Sequence, residues 1–159
     1  MTEPRDPLTE VHPANAAAPT VWASQNYRDA NAAIDFITTV FGFEATLIVE
    51  DPDDPSVIHH AELIWPEGGG FMLGSSGRND SEFATLNGKI GMYVVTADPF
   101  PIYNRCVAAG ARIEREMEST PYCAAQFTVA DPEDNMWCFG TYRGLGSPDK
   151  GGARIPHGS

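Results

Sequence analysis

The sequence predicts an α+β fold built from two βαβββ modules in tandem. Two segments with helical periodicity are each followed by three segments with strand-like alternation. The turns of the two halves also coincide, since Pro132 lies 66 residues after Pro66 and Gly140 lies 66 residues after Gly74. Agreement in both element order and turn position favours a duplication over a chance match of single segments.

The first helix is predicted over Ala30–Phe41, where apolar side chains recur at the three- and four-residue spacing of one helical face. Asp29 is the expected N-cap, because its carboxylate can accept from the free N–H groups of the first turn. Gly42 is the expected stop, because glycine readily adopts the left-handed conformation that commonly ends a helix.

The second helix is predicted over Pro99–Ala109, with Asp98 as its N-cap and Gly110 as its stop. Early prolines are compatible with a helix because the N–H groups of the first turn have no partner inside it. The apolar stripe expected to face the sheet is Tyr103, Cys106 and Val107.

Eight strands are expected in the rest of the core segment, separated by turn clusters such as DPDDPS, PEGGG and DPEDN. Their predicted ranges are Val21–Tyr27, Ala45–Val49, Val57–Trp65, Phe71–Gly74, Lys89–Val95, Ala111–Glu116, Ala124–Val129 and Met136–Tyr142. The residues expected in the core are Ile34, Ile37, Val107, Phe127, Val129, Trp137 and Phe139.

Composition excludes several classes of function. The chain has 159 residues and a formal net charge of −12, and so acidic a protein repels nucleic acids and anionic membranes. It has no apolar run near the roughly 20 residues that span a bilayer and no visible signal peptide, so we expect a soluble, cytoplasmic protein. Its three cysteines fit neither a disulfide framework nor a CxxC zinc site and are expected to be buried thiols.

The expected domain organisation is one domain between two flexible ends. Residues 1–19 and 144–159 are rich in proline or glycine and are expected to form a flexible arm and a flexible tail. The domain covers residues 20–143, with its two modules at about 20–76 and 88–143.

Three segments resemble the vicinal oxygen chelate superfamily, which includes glyoxalase I, bleomycin-resistance proteins and extradiol dioxygenases. They are YRDANAAIDFITTVFGFE, HAEL and VADPEDNMWCFGTYRG, within about residues 21–143. The closing D-P-x-x-N-x-W-x-F-G-T-Y pattern is the most specific and is most similar to the glyoxalase-like branch. The resemblance implies curved mixed sheets around a central cavity between the modules, with the helices outside.

The resemblance also implies where a metal would bind, because metal-dependent members carry His or Gln on the first strand and Glu on the fourth strand of each module. The matching positions are Trp22 and Met72, then Gly91 (or Lys89 after a strand shift) and Cys138. Trp, Gly and Met do not bind a hard divalent ion, protonated Lys repels one, and a single thiolate is not a site. We therefore expect no metal and no other cofactor.

His60 and Glu62 are the strongest remaining polar pair. Two residues apart on a strand, they project from one face, which the repeat turns toward the cavity. Three roles stay open: a structural or ligand-orienting pair, a general acid/base pair, and part of a displaced metal site. His59 is expected on the other face, away from the site.

The other side chains expected to line the cavity are aromatic, sulfur-containing or neutral hydrogen-bonding groups. They are Trp22, Ser24, Asn26, Met72, Tyr93, Gln126, Thr128 and Cys138. Such a lining suits a flat, partly apolar ligand held by stacking and a few directed hydrogen bonds. The alternative is that Trp22 and Met72 simply fill the cavity as core.

Three functions are compatible with these features. The first is metal-independent binding of a small, partly aromatic molecule, similar to the drug-sequestering bleomycin-resistance proteins and implying a role in antibiotic resistance. The alternative is a lyase, isomerase or dioxygenase-type enzyme that uses His60 and Glu62, and the third is a structural or regulatory module with a filled cavity. The resemblance also implies a homodimer, and the partner we expect is a small-molecule ligand rather than a nucleic acid or a membrane.

Overall fold

The computed structural model describes residues 20–121 and 123–144. The predicted arm (1–19) and all but the first residue of the predicted tail (144–159) therefore lie outside the described residues. The chain divides into two compact units with the boundary between Gly88 and Lys89. Among the described residues, no helix is long and apolar enough to cross a membrane.

The first unit contains a four-stranded mixed sheet with the order β1-β4-β3-β2, in which β1 and β4 are parallel and the other pairs antiparallel. Its elements are β1 (Trp22–Tyr27), α1 (Ala30–Phe36), a π-helical turn (Ile37–Phe41), β2 (Glu44–Glu50), β3 (Ile58–Ile64), β4 (Gly70–Ser75) and a 3-10 turn (Phe83–Thr85).

The second unit repeats this topology, with the order β5-β8-β7-β6 and a parallel β5–β8 pair. Its elements are β5 (Gly91–Val95), α2 (Phe100–Ala108), β6 (Ile113–Thr120), β7 (Cys123–Ala130) and β8 (Met136–Gly140). The predicted α+β fold of tandem βαβββ modules is confirmed.

The first helix begins and ends where the sequence predicts. The Asp29 carboxylate accepts a hydrogen bond from the first turn at 3.0 Å, and Gly42 ends the helix with φ +94°. Its last part widens into the π-helical turn, which the periodicity does not predict. There the hydroxyls of Thr38 and Thr39 donate back to main-chain carbonyls at 2.7 and 2.5 Å, a competition that perturbs regular helices.

The second helix departs from the prediction in its cap and its buried face. Pro99 is the N-cap, although the carboxylate of Asp98 still accepts from a first-turn N–H at 3.1 Å. Val107, predicted in the core, is 52% exposed. The buried face passes through Ile102 and Cys106, and Val107 is turned by about 100° from Cys106 around the helix axis.

The remaining core predictions are confirmed, since these side chains are buried: Ile34, Ile37, Phe127, Val129, Trp137 and Phe139. In the second unit Phe127 stacks on Phe139 with ring centroids 5.5 Å apart. All three cysteines are free, as predicted; Cys106 and Cys123 are buried, while Cys138 is only half-buried.

The most specific sequence pattern forms the turn between β7 and β8. The buried carboxylate of Asp131 accepts from the main-chain N–H groups of Glu133 and Asn135 at 2.9 and 3.1 Å. It also accepts from the side-chain amide of Asn135 and, at 3.1 Å, from the indole N–H of Trp137. The pattern thus fixes a turn and positions a core tryptophan.

Candidate functional site

A half-open cavity of about 420 Å³ lies in the first unit. Half of the ten predicted site residues line it: Trp22, Ser24, Asn26, His60 and Met72. Its volume falls within the range of small-molecule sites in proteins. The bulky Trp22 and Met72 therefore leave space in this cavity.

The strand register explains why these side chains meet. Ser24 on β1 lies opposite Met72 on β4, and Met72 lies opposite Glu62 on β3. The next row places Asn26 opposite Gly74. Because side chains two residues apart on a strand share a face, these rows lie on one face of the sheet. Glu62 lies on this face but is not among the residues that line the cavity.

The pair His60 and Glu62 forms a direct hydrogen bond, with His60 Nε2 3.0 Å from Glu62 Oε1. Both side chains are about one-third exposed. The pair can orient a ligand or exchange a proton with one, because the other imidazole nitrogen and the other carboxylate oxygen make no further hydrogen bond within the described part of the chain.

His59 also lines the cavity, so the prediction that it points away from the site is wrong. The β2–β3 register pairs Val49 with His60 and Glu50 with Ile58, which makes His59 an extra, bulged residue. A β-bulge re-aims a side chain, and here two consecutive histidines are half-buried. The signal was present in the sequence, since two polar residues between two apolar ones interrupt the alternation.

His59 is the centre of an ionic group of four residues, called here the His59 cluster: Asp51, His59, Arg78 and Asp80. Its Nε2 lies 2.7 Å from Asp51 and its Nδ1 lies 3.2 Å from Asp80, whose carboxylate is also 2.7 Å from Arg78. The hydrogen bond to Asp51 is the main cause that raises the pKa of His59, with Asp80 adding to it. The same bond lowers the pKa of Asp51.

The rim of the cavity is a segment that sequence reasoning did not assign to the site. The side-chain amide of Asn26 donates to the carbonyls of Phe83 and Leu86 at 2.7 and 2.8 Å, which ties the 3-10 turn to β1. Phe83 lines the cavity although it is 62% exposed. No local sequence pattern predicts this, because the contacts join residues about sixty positions apart.

The other four predicted site residues lie on one face of the second sheet. Tyr93 on β5 is opposite Cys138 on β8, which is opposite Thr128 on β7. Gln126, on the same side of β7, donates to Glu118 at 3.1 Å. They form a polar face of the second unit.

Cys123, which sequence reasoning did not single out, lies close to this face. Burial raises the pKa of Tyr93 to about 12, and its hydroxyl contacts the Cys123 thiol. Burial alone would raise the pKa of Cys123. Hydrogen bonds from Thr141, from the main chain of Tyr142 and from the Tyr93 hydroxyl outweigh it and lower that pKa below its usual value. Burial also raises the pKa of Cys138.

The residues at the positions implied for a metal do not fit one. Gly91 is the first residue of β5, whereas Lys89 precedes the strand and donates to the Glu133 carbonyl at 2.6 Å. Trp22, Met72 and Gly91 offer no oxygen or imidazole donor. Across residues 20–121 and 123–144, no three His, Cys, Asp or Glu side chains are grouped so that they could hold an ion.

Comparison with known proteins adds two findings. Residues 20–139 match the sequence profile of the Glyoxalase/Bleomycin resistance protein/Dioxygenase superfamily. A search of curated proteins finds no match.

Solved structures share the fold. TioX from Micromonospora sp. ML1 is 27% identical, with a TM-score of 0.63 over 76% of this chain and 93% of that chain. TnmS3, an antibiotic binding protein from Streptomyces sp. CB03234, is 16% identical, with a TM-score of 0.58 over 81% and 98% of the two chains. A glyoxalase I mutant from Zea mays is 17% identical, with a TM-score of 0.57 over 79% of this chain and 46% of that one.

Proposed function

We propose, since this chain belongs to the Glyoxalase/Bleomycin resistance protein/Dioxygenase superfamily, that it binds a small, partly aromatic molecule without a metal. The observation that carries the proposal is the lining of the first unit's cavity. It combines an indole, a thioether and a phenyl ring with the hydroxyl of Ser24, the amide of Asn26 and the imidazole of His60.

The lining supports binding by stacking and directed hydrogen bonds. Aromatic pairs contribute about 1 kcal/mol beyond the area they bury, and a few polar groups orient the ligand. The net charge of −12 attracts a cationic ligand and tolerates a neutral one. The fold is compatible with such a role, since TnmS3 is named an antibiotic binding protein. Capture of a drug in this way would give resistance without turnover.

Tryptophan fluorescence tests the proposal. Trp65 and Trp137 are only 7% and 0% exposed, so quenching by a bound molecule reports mainly on the half-buried Trp22. We expect the flat cation proflavine to quench the emission with saturation at one molecule per chain and no chemical change. Because Trp22→Ala removes this reporter, its affinity and that of the wild type are compared by calorimetry, where the variant should bind about fivefold or more weakly.

The matched control is Phe100→Ala, which removes an aromatic ring that is 53% exposed and lies in the second unit. It should leave probe binding unchanged. Equal affinities of the wild type and Trp22→Ala for every bound probe would contradict the proposed site.

The second candidate is a lyase, isomerase or dioxygenase-type enzyme, favoured by the 3.0 Å contact between His60 and Glu62. Elemental analysis separates it from the binder. The binder proposal expects no stoichiometric divalent metal in the purified protein. About one zinc, nickel, iron or manganese ion per chain, lost on His60→Ala, would make the enzyme the better proposal.

A further inference from the structure

We infer that Gly70 is a specificity-determining residue of the first unit's cavity, because it lets the Trp22 ring lie face-on against β4 and thereby selects flat, fused-ring aromatic ligands. The inference rests on the proposed function and adds the residue that sets the shape of the ligand.

The geometry at Gly70 comes from the strand pairing. Trp22 on β1 lies directly opposite Gly70 on β4. A Cβ atom added to Gly70 would lie 2.5, 2.6 and 2.8 Å from Cζ3, Cε3 and Cη2 of the indole. Three neighbouring ring atoms at nearly equal distances place that Cβ position above the face of the ring, not beside its edge.

The absence of a side chain at Gly70 therefore sets the plane of the indole. Real Cβ atoms essentially never lie within 3.0 Å of a heavy atom outside their own and the adjacent residues, so any other residue at position 70 displaces the ring. One face of the ring lies against the strand, and Trp22 also lines the cavity. A flat ligand can stack on the ring there, whereas a puckered ring of equal size makes fewer contacts.

The second unit shows the opposite arrangement at the equivalent pair. Gly91 on β5 lies opposite Met136 on β8, so the small residue is on the other strand. A Cβ atom on Gly91 would meet no atom within 4 Å. The second unit therefore has no aromatic ring lying against β8 at this position. The same strand topology accommodates a glycine on the first strand opposite a methionine on the fourth.

The test compares, by calorimetry, the flat N-methylacridinium ion with its saturated analogue N-methylperhydroacridine, called acridine and perhydroacridine below; both carry one positive charge at neutral pH, so they differ in ring shape and not in charge. The wild type should bind acridine at least tenfold more tightly than perhydroacridine. Gly70→Ala should weaken acridine binding about five- to tenfold, reduce the preference for the flat probe, and shift the Trp22 emission of the free protein. The matched control Gly91→Ala should change none of these.

A second variant covers the case in which Gly70→Ala folds poorly. Trp22→Gly combined with Gly70→Met copies the second unit's pairing into the first unit and should also lose the preference for acridine. Unchanged acridine preference in the folded variants would overturn the inference and leave the proposed function standing. A wild type that binds neither acridine nor the other aromatic probes would instead contradict the proposed function itself, and this inference with it.

Discussion

Asp131→Asn should destabilise the protein strongly, although it replaces one atom of the side chain. Asp131 is 4% exposed, and its two carboxylate oxygens accept from two main-chain N–H groups, the Asn135 amide and the Trp137 indole. All of these partners are donors. An asparagine presents one oxygen and one NH₂ group, so whichever way the amide turns, donors face donors.

The magnitude follows from the number of bonds at risk. Hydrogen bonds to a charged group contribute about 1.5–3 kcal/mol, and a buried donor without a partner costs about 1–3 kcal/mol. Trp137 and Asn135 are 0% and 1% exposed, so water does not replace the lost acceptor. Because the bonds share one turn and are not additive, we expect a loss of about 3 kcal/mol in the free energy of unfolding.

Urea unfolding followed by tryptophan fluorescence measures this loss. With a denaturant slope of about 2 kcal/mol/M, the midpoint should fall by about 1.5 M. The control is Asp134→Asn in the same turn. The Asp134 side chain is 60% exposed and pairs with Arg112, and its backbone has φ +67°. Asparagine tolerates that conformation, so the control should change stability by at most about 0.5 kcal/mol. Equal midpoints for the two variants would refute the assignment of Asp131 as the centre of this turn.

Three further predictions concern the core, pH dependence and assembly. Phe139→Ala should lower stability by about 3–5 kcal/mol in urea unfolding, because it empties a buried site stacked on Phe127, and a loss below about 1 kcal/mol would contradict this packing. The pKa of His59 is raised above 6.5 in the folded state, so its protonated form should stabilise the protein below pH 6.5, and this contribution should be lost as the pH rises through the raised pKa. His59→Gln should therefore reduce the dependence of the unfolding free energy on pH between pH 5 and 9. An unchanged pH dependence would contradict the His59 cluster. Light scattering should give a homodimer, and a mass near the 17.2 kDa of one chain at micromolar concentration would count against it.

The fold was predictable because its signals are local. Helical spacing, strand alternation and turn residues each depend on a few neighbouring positions, and the repeat at matching prolines and glycines adds an independent check. The same alternation placed Trp22, Ser24 and Asn26 on one face of β1. It failed at His59, where one bulged residue reverses the side to which side chains point.

The rest of the site depends on contacts distant in sequence. The turn carrying Phe83 reaches the cavity because the amide of Asn26 holds its carbonyls, and the seat of Trp22 depends on a glycine that pairs with it across the sheet. Neither of these two contacts produces a periodic pattern in the sequence. The prediction that Val107 is buried failed for the same reason. In a helix of only nine residues the sequence does not fix which side is buried, because contacts with the neighbouring strands decide it.

The turn around Asp131 has a practical consequence for protein engineering. The Asp131 carboxylate and the groups that donate to it all belong to the second unit, whereas the side chains that line the cavity belong to the first. A library that randomises Ser24, His60 and Met72 can therefore alter ligand preference without disturbing this turn. By the same logic, two chains that share the turn can be recognised as relatives and still bind unrelated compounds, so assigning a ligand requires comparison of the cavity walls.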